Sequence, residues 1–302
     1  NMPQYRQKIL IIGATGMLGQ SLMLSFSDLG YEVTGTSRED SGFSLDITKI
    51  EQVRHALRII KPDVVVNAAG IADVDYCERN PDVAFEVNFS AVCRLAEECE
   101  ANGVKFVQIS TDHFFTGDKN LAHTESALKT IVNVYAESKS AAEECLKERK
   151  DVLVVRTNIT GFRGGSKPTF IEWALAALRN DTSIQGFVDY YTSTIDTLSF
   201  SNALVRLVEL GAAGIINLAS SEVSSKYQFL VTLKDALPDA SAEIQQAHIG
   251  NLQVKRAESA GLDVSKAEQF LGYKLPGRKE VVANLIEQEN KPVMARVLKN
   301  EV

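Results

Sequence analysis

Short apolar runs alternate with segments of helical periodicity through the first half of the chain. Lys8 to Ile12 is an apolar run that ends at a glycine, and its length and flanks predict a buried strand. Leu18, Leu22, Phe26 and Leu29 then recur at helical spacing, with Gly30 as the C-terminal stop. The same rhythm predicts a strand at Tyr31 to Thr36 and a helix at Ile50 to Ile60, closed by Lys61-Pro62. It continues with a strand at Val64 to Val66, a long helix from Pro81 to Asn102 carrying Val83, Val87, Val92 and Leu95, and a strand at Lys105 to Ser110. A helix at Tyr135 to Lys147 and a strand at Val152 to Arg156 complete the series. Val64-Val65-Val66 is as apolar as a strand covered on both faces should be. Strands alternating with helices in this way predict an α/β fold with a doubly wound parallel sheet.

After about residue 157 the pattern loosens. Gly161 to Pro168 is a glycine-rich loop, and Ile215 to Leu218 reads as one more sheet strand. Residues 220–302 mix helical periodicity with turns, and the tail from Lys291 to Val302 reads as frayed and solvated. The expected division is a dinucleotide-binding domain, residues 1–157 plus about 188–219, and a smaller α/β substrate lobe, about 158–187 plus 220–302. A length of 302 residues fits two such units.

Composition narrows the class. Hydrophobic residues make up 45% and charged residues 24%, which is ordinary globular usage and argues against disorder or a coiled coil. The net charge of −7 is a poor platform for duplex nucleic acid or anionic lipid. The apolar run at Ile9 is far too short to span a membrane, so neither a nucleic acid nor a membrane is an expected partner. Cys77, Cys93, Cys99 and Cys145 have no C-x-x-C spacing and read as small helix residues in a reducing, cytoplasmic setting. The four histidines are scattered, so no metal site is expected. By base rates, a homodimer is the default oligomer.

The candidate chemistry sits at strand ends. Gly13-Ala14-Thr15-Gly16-Met17-Leu18-Gly19 lies between a strand and a helix, with G-x-x-G-x-x-G spacing. Glycines there allow a tight turn and close approach of backbone to a pyrophosphate, which the helix N-terminus then attracts. A plain strand–helix turn is the bland alternative. The second strand ends in Thr36-Ser37-Arg38, and its first acid, Glu39, comes after the arginine. An acid at the strand end would hold the ribose hydroxyl of NAD, whereas Ser37 and Arg38 suit the 2′-phosphate of NADP. Arg38 is also open to reading as a solvated charge. Asp46, with Ile47, is either part of an adenine-side loop or the N-cap of the next helix. Asn67-Ala68-Ala69-Gly70 ends the third strand with small residues on which a flat cofactor can lie, and Asn67 can add a hydrogen bond. Ser110-Thr111-Asp112 ends the fourth strand, where ligands meet such sheets; a turn-initiating cluster is the plainer reading. Tyr135 and Lys139 share one helix face. A nearby ammonium is expected to lower the tyrosine's pKa toward the working range, although one Y-x-x-x-K also arises by chance.

Taken in order, these segments resemble the extended short-chain dehydrogenase/reductases, and more closely the dTDP-4-dehydrorhamnose reductase family. Val74-Asp75-Tyr76-Cys77-Glu78, Asn88, Asn133-Val134-Tyr135, Arg156-Thr157 and Leu262-Asp263 also carry the likeness, which runs over nearly the whole chain and is tightest in residues 8–157. The resemblance implies a Rossmann sheet, NADP(H) in preference to NAD(H), and a nucleotide-sugar substrate reduced at C4 of a 4-keto-6-deoxyhexose. It implies Thr111, Tyr135 and Lys139 as the catalytic set, with Tyr135 protonating the forming alkoxide, Thr111 hydrogen-bonding the carbonyl oxygen and Lys139 holding the ribose. It implies cofactor contacts from Gly13, Thr15, Gly16, Met17, Leu18, Gly19, Ser37, Arg38, Asp46, Ile47, Asn67 to Gly70, Asn88, Tyr135 and Lys139. Ser110, Asp112, His113, Asn158 and Arg256 are then the expected substrate contacts.

Departures cluster in the sugar half. His113 stands where the family has tyrosine, Ile159 where it has tryptophan, and Ala72 where it has threonine; Arg256 survives from a late motif whose proline and asparagine are lost. His113 is open to a substrate role or to simple loop packing. Trp173, with Phe170, Ala174 and Leu178, reads as core, and Lys255-Arg256 is open to neutralising a diphosphate or to reading as an ordinary exposed basic pair. Two other readings remain: a non-catalytic NADP-binding regulatory subunit like the beta subunit of methionine adenosyltransferase, and a sugar-nucleotide epimerase or dehydratase.

Overall fold

The computed structural model describes residues 6–38 and 43–290. Glu39 and the tail Lys291 to Val302 lie outside the described residues. Six strands form the central sheet: β1 (Lys8–Ile12), β2 (Glu32–Thr36), β3 (Val64–Asn67), β4 (Lys105–Ile109), β5 (Val152–Arg156) and β6 (Gly214–Asn217). Their spatial order is β6-β5-β4-β3-β1-β2, with every pairing parallel. The order reverses between β1 and β3, which opens a crevice at the carboxyl ends of those strands.

The strands are apolar because both sheet faces are covered. Ile9 and Ile11 point into one apolar cluster together with Val64, Val66, Val107 and Val155. Their neighbours Leu10 and Ile12 point into the other, with Val65, Phe106 and Val154. The second cluster is closed by Val53 and Leu57 of the helix Ile50–Ile60, Leu95 and Cys99 of Ala91–Ala101, and Ala142 and Leu146 of Val134–Leu146. The first is closed by Leu22 and Phe26 of Met17–Asp28 and Leu204 of Thr197–Glu209, and it runs on without a break into Ile171, Leu233 and Val281. The C-terminal lobe thus shares one apolar core with the sheet.

Several expectations are corrected. The long helix after Pro81 is interrupted: Pro81–Phe85 is α-helical, Glu86–Ser90 is a π turn, and Ala91–Ala101 resumes the α-helix. Asn88 lies in that π turn, and Val83 is exposed rather than buried. The short helix Val74–Arg79, started by Asp73 accepting the Tyr76 N–H, was hidden by its charges. Trp173 is 39% exposed while Ile171 and Leu175 take the core side of Phe170–Arg179, so only Ala174 and Leu178 of the predicted stripe are core. Cys93 and Cys145 are not separate thiols but a disulfide between adjacent helices, with Cα atoms 6.3 Å apart. A separation of 52 residues concealed the pair, and it removes the cysteine argument for a reducing compartment. Cys77 and Cys99 are free and buried.

Candidate active site

The glycine loop opens where β1 gives way to Met17–Asp28. Gly13 has φ +81°, and its N–H donates to Thr36 O at 3.0 Å, which folds the loop against the end of β2. A Cβ on Gly19 would stand 2.0 Å from Gly13 O, and one on Gly13 would stand 2.9 Å from Ala69 N. Both glycines are therefore required by backbone meeting backbone. Gly16 caps the helix with no side-chain acceptor, leaving the N–H groups of the first turn facing the crevice. Leu18 packs its side chain in the core, so only its backbone and those of Thr15 to Gly19 are available to a phosphate.

The rest of the nucleotide end is shaped by short polar contacts. Ser37 pairs with Ser44 through an isolated bridge, and Leu45 N–H donates to Ser37 O at 2.8 Å. Arg38 is exposed there, and its charge acts on Asp46. Asp46 is not a helix cap, because Lys49 holds that position. Its carboxylate accepts from Thr48 N (3.0 Å) and Thr48 Oγ1 (2.6 Å). Against burial, which works the other way, these bonds and the nearby Arg38 and Lys49 hold it below the usual carboxylate range. Ile47 is a core residue. Asn67 is fully buried and spends its amide on Gln108 Oε1 (2.9 Å) and the Ala69 N–H (3.2 Å), so it shapes the Ala68-Ala69 turn instead of offering a free hydrogen bond. Asn88 acts the same way: it brackets Ile71 through both backbone groups and reaches Ser138 Oγ at 3.2 Å.

The helix Val134–Leu146 brings Tyr135 and Lys139 to the end of β4. Asn133 caps it by accepting the Ala136 N–H at 2.9 Å, and Glu78 accepts the Val134 N–H at 3.0 Å. One turn beyond Lys139 on the same face, Glu143 is buried against Arg156, with Nη2–Oε1 at 2.7 Å, and Lys129 lies 3.0 Å from it. This buried cluster ties the helix to β5, and sequence reading missed Glu143 altogether. Ser110, expected as a substrate contact, donates its hydroxyl to Glu143 instead and so belongs to this cluster.

Lys139 donates to Ile109 O at 2.9 Å, and burial pushes its pKa down to about 8 against the pull of Glu143. The expected lowering of the tyrosine does not occur. Burial pushes Tyr135 up to about 12, hydrogen bonding to Thr111 opposes this, and Asp112 and Cys77 add to the rise. Tyr135 is therefore a protonated phenol at neutral pH, fit to donate. Thr111 is buried beside it.

The sugar-side residues sort into packers and pocket groups. His113 Nε2 receives Asn133 Nδ2 (3.0 Å) and the Ala257 N–H (3.2 Å), and burial pushes its pKa down to about 4. It is a neutral, packed acceptor whose ring meets Tyr135 edge-on at 5.8 Å. Asn158 donates to Asp112 Oδ2 (2.8 Å) and accepts from Thr194 Oγ1 (2.9 Å), so it holds Asp112 in place. Burial raises Asp112 to about 6, opposed by Asn158 and by the charge of Lys226. Arg256 binds Asp75 at 3.2 Å and Val254 O at 2.9 Å, joining the lobe to the helix Val74–Arg79. Tyr190, Phe170 and Lys226 meet near Asp112 and were not foreseen, since they come from three separated segments with no shared motif.

Comparison with known proteins shows the fold and the family. A dTDP-4-dehydrorhamnose reductase of Mycolicibacterium smegmatis is 30% identical over 224 residues, covering 73% of this chain and 66% of that protein. The beta subunit of methionine adenosyltransferase 2 from Mus musculus is 25% identical over 301 residues, covering 94% of this chain and 88% of its own. The crystal structure of dTDP-4-dehydrorhamnose reductase from Bacillus anthracis in complex with NADP superposes with a TM-score of 0.85 at 21% identity, covering 94% of this chain and 100% of that one. The family model described as the RmlD substrate binding domain matches residues 7–291, and the chain belongs to that family.

Proposed function

We propose that the protein is an NADP(H)-dependent reductase of a nucleotide-linked 4-keto-6-deoxy sugar, of the dTDP-4-dehydrorhamnose reductase type. One observation carries the reading. A protonated Tyr135, Thr111 and Lys139 lie at the end of β4, in the same crevice as a loop whose Gly13 and Gly19 bring backbone against backbone. The crevice fits a dinucleotide: Gly13 to Gly19 receive the pyrophosphate, Ser37 and Arg38 the 2′-phosphate, and Ala68 to Gly70 form the floor. The chemistry that a nicotinamide cofactor would supply when held there is hydride, for C4 of the sugar. Lys139 keeps one ammonium hydrogen on Ile109 O and turns the others to the ribose. Thr111 donates to the carbonyl oxygen, and Tyr135 delivers its phenolic proton to that oxygen as charge develops there. Asp112, fixed by Asn158, lines the sugar end.

Removing the phenol tests this assignment. Tyr135→Phe should lower NADPH oxidation with dTDP-4-keto-6-deoxy-L-mannose by roughly 10²–10⁴-fold while weakening NADPH binding by no more than about tenfold. Unchanged turnover would sink the assignment. A second reading, a cofactor-binding regulatory subunit, is favoured by the likeness to methionine adenosyltransferase 2 beta over almost the whole chain. It predicts NADPH binding with no turnover on any nucleotide sugar, whereas the intact Thr111, Tyr135 and Lys139 favour the reductase.

A further inference from the structure

Lys226 opens the helix Lys226–Asp235, and three contacts fix it there. Its N–H donates to Tyr190 O at 2.9 Å, Ser225 caps the helix through a reciprocal bond with Gln228, and Ser225 pairs with Tyr191 across a two-stranded ladder. The side chain is half-buried, with Nζ 4.9 Å from the ring centre of Phe170 and 5.7 Å from that of Tyr190. Those rings attract a cation but offer no acceptor atom. Among the described residues, the ammonium has no hydrogen-bond or ion-pair partner. Asp112 is the opposite charge that acts on it, and Asp112 gives Oδ2 to Asn158. Half-buried over two rings and without a protein acceptor, the ammonium keeps its hydrogens open to a ligand.

Its position says which part of a ligand that is. Asp112 follows Thr111 directly, and its charge acts on Lys226, Tyr135 and Tyr190 alike. With Nζ over the Tyr190 ring and its N–H on Tyr190 O, Lys226 is placed beside the ring that shares the field of Asp112 with Tyr135. Arg256, whose charge also reaches Tyr190, is tied to Asp75 and Val254 O, whereas Lys226 is not. We propose that Lys226 is a specificity-determining residue that donates its ammonium hydrogens to an oxygen substituent of the substrate's sugar, against the aromatic wall of Phe170 and Tyr190. The proposal rests on the nucleotide-sugar reading above. It makes the site selective for sugars that keep an oxygen at that place, whether hydroxyl or carboxylate.

Calorimetry with dTDP-L-rhamnose and with dTDP tests it without requiring turnover. The wild-type protein, loaded with NADPH, should bind dTDP-L-rhamnose more tightly than dTDP. In Lys226→Met that advantage should shrink by about tenfold or more, while dTDP affinity stays within about twofold. Lys226→Gln, which keeps a donor but no charge, should retain part of the advantage. NADPH affinity and the melting temperature check that both variants fold. An undiminished advantage in Lys226→Met overturns the proposal and leaves the reductase reading standing. Equal weakening of dTDP and dTDP-L-rhamnose also overturns it, because the cation then serves the diphosphate. Binding of neither compound to the wild type overturns the nucleotide-sugar reading itself, and this proposal with it.

Discussion

His113 shows how a single side chain trades chemistry for packing. Its Nε2 lies between Asn133 and Ala257, and burial pushes its pKa down to about 4 from an ordinary 6.5. Between those values the unfolded chain binds more protons than the folded one, so stability is fully present above pH 6.5 and is lost as pH falls toward 4. Asp112 works the other way. Its pKa is raised from 3.8 to about 6, so the folded state binds the extra proton in that window and loses stability as pH rises through it. The two largely offset one another from about pH 6 down to 4. His113→Gln removes one side of the balance. Urea denaturation should then show up to roughly 3 kcal/mol less destabilisation between pH 7 and pH 4 than in the wild type. An unchanged pH slope would show that the imidazole is not held neutral. Arg38 offers a second test. Arg38→Ala should raise KM for NADPH roughly 10–100-fold and leave that for NADH nearly unchanged. Raising salt should weaken NADPH binding in the wild type toward the same end, since Arg38 is exposed.

The strand–helix units that frame the crevice were legible because they are repeated patterns. The helix Ile50–Ile60 and the strands Lys8–Ile12 and Val152–Arg156 have the predicted ends. Their periodicity reflects a two-sided sheet, which imposes one rule on every strand. The π turn at Glu86–Ser90 was not legible, because its extra residue changes the hydrogen-bond ladder without changing the apolar pattern. The site divided in the same way. Gly13, Gly19, Tyr135 and Lys139 sit at fixed offsets within single segments and could be read. Glu143, Tyr190 and Lys226 matter through partners far away in sequence, as in the Glu143–Arg156 pair, and could not. Asn67, Asn88 and Asn158 were seen, but their amides hold backbone or Asp112 in place. The loop–helix junction gives the sharpest check at this level. Gly→Ala in a helix ordinarily stabilises by about 1 kcal/mol. At Gly19 the new Cβ would lie 2.0 Å from Gly13 O, and backbone cannot yield that distance cheaply. Gly19→Ala should therefore lower the melting temperature and weaken NADPH binding at least about tenfold, by fluorescence titration. A stabilised variant with intact affinity would mean the loop is not held against the helix as described.

At the level of the whole chain, the sheet and the C-terminal lobe share one apolar core, and covalent closure is added on the opposite face. The Cys93–Cys145 bridge joins Ala91–Ala101 to Val134–Leu146, the helix that carries Tyr135, Lys139 and Glu143. It therefore clamps the helix of Tyr135 to its neighbour from the solvent side, while the Glu143–Arg156 pair holds it from the sheet side. The bridge closes a loop spanning 52 residues, for which the chain-entropy argument predicts about 4 kcal/mol of stabilisation. In a chain this long, that corresponds to a melting-temperature loss on reduction of roughly 8–16 °C as an upper bound. Thiol titration in denaturant should find two reactive groups, Cys77 and Cys99, in the unreduced protein and four after reduction. A Cys93→Ser/Cys145→Ser double variant should melt where the reduced protein melts and should no longer respond to reductant. Four thiols in the unreduced protein, or a melting temperature indifferent to reductant, would show that this helix is held by packing and the buried ion pair alone.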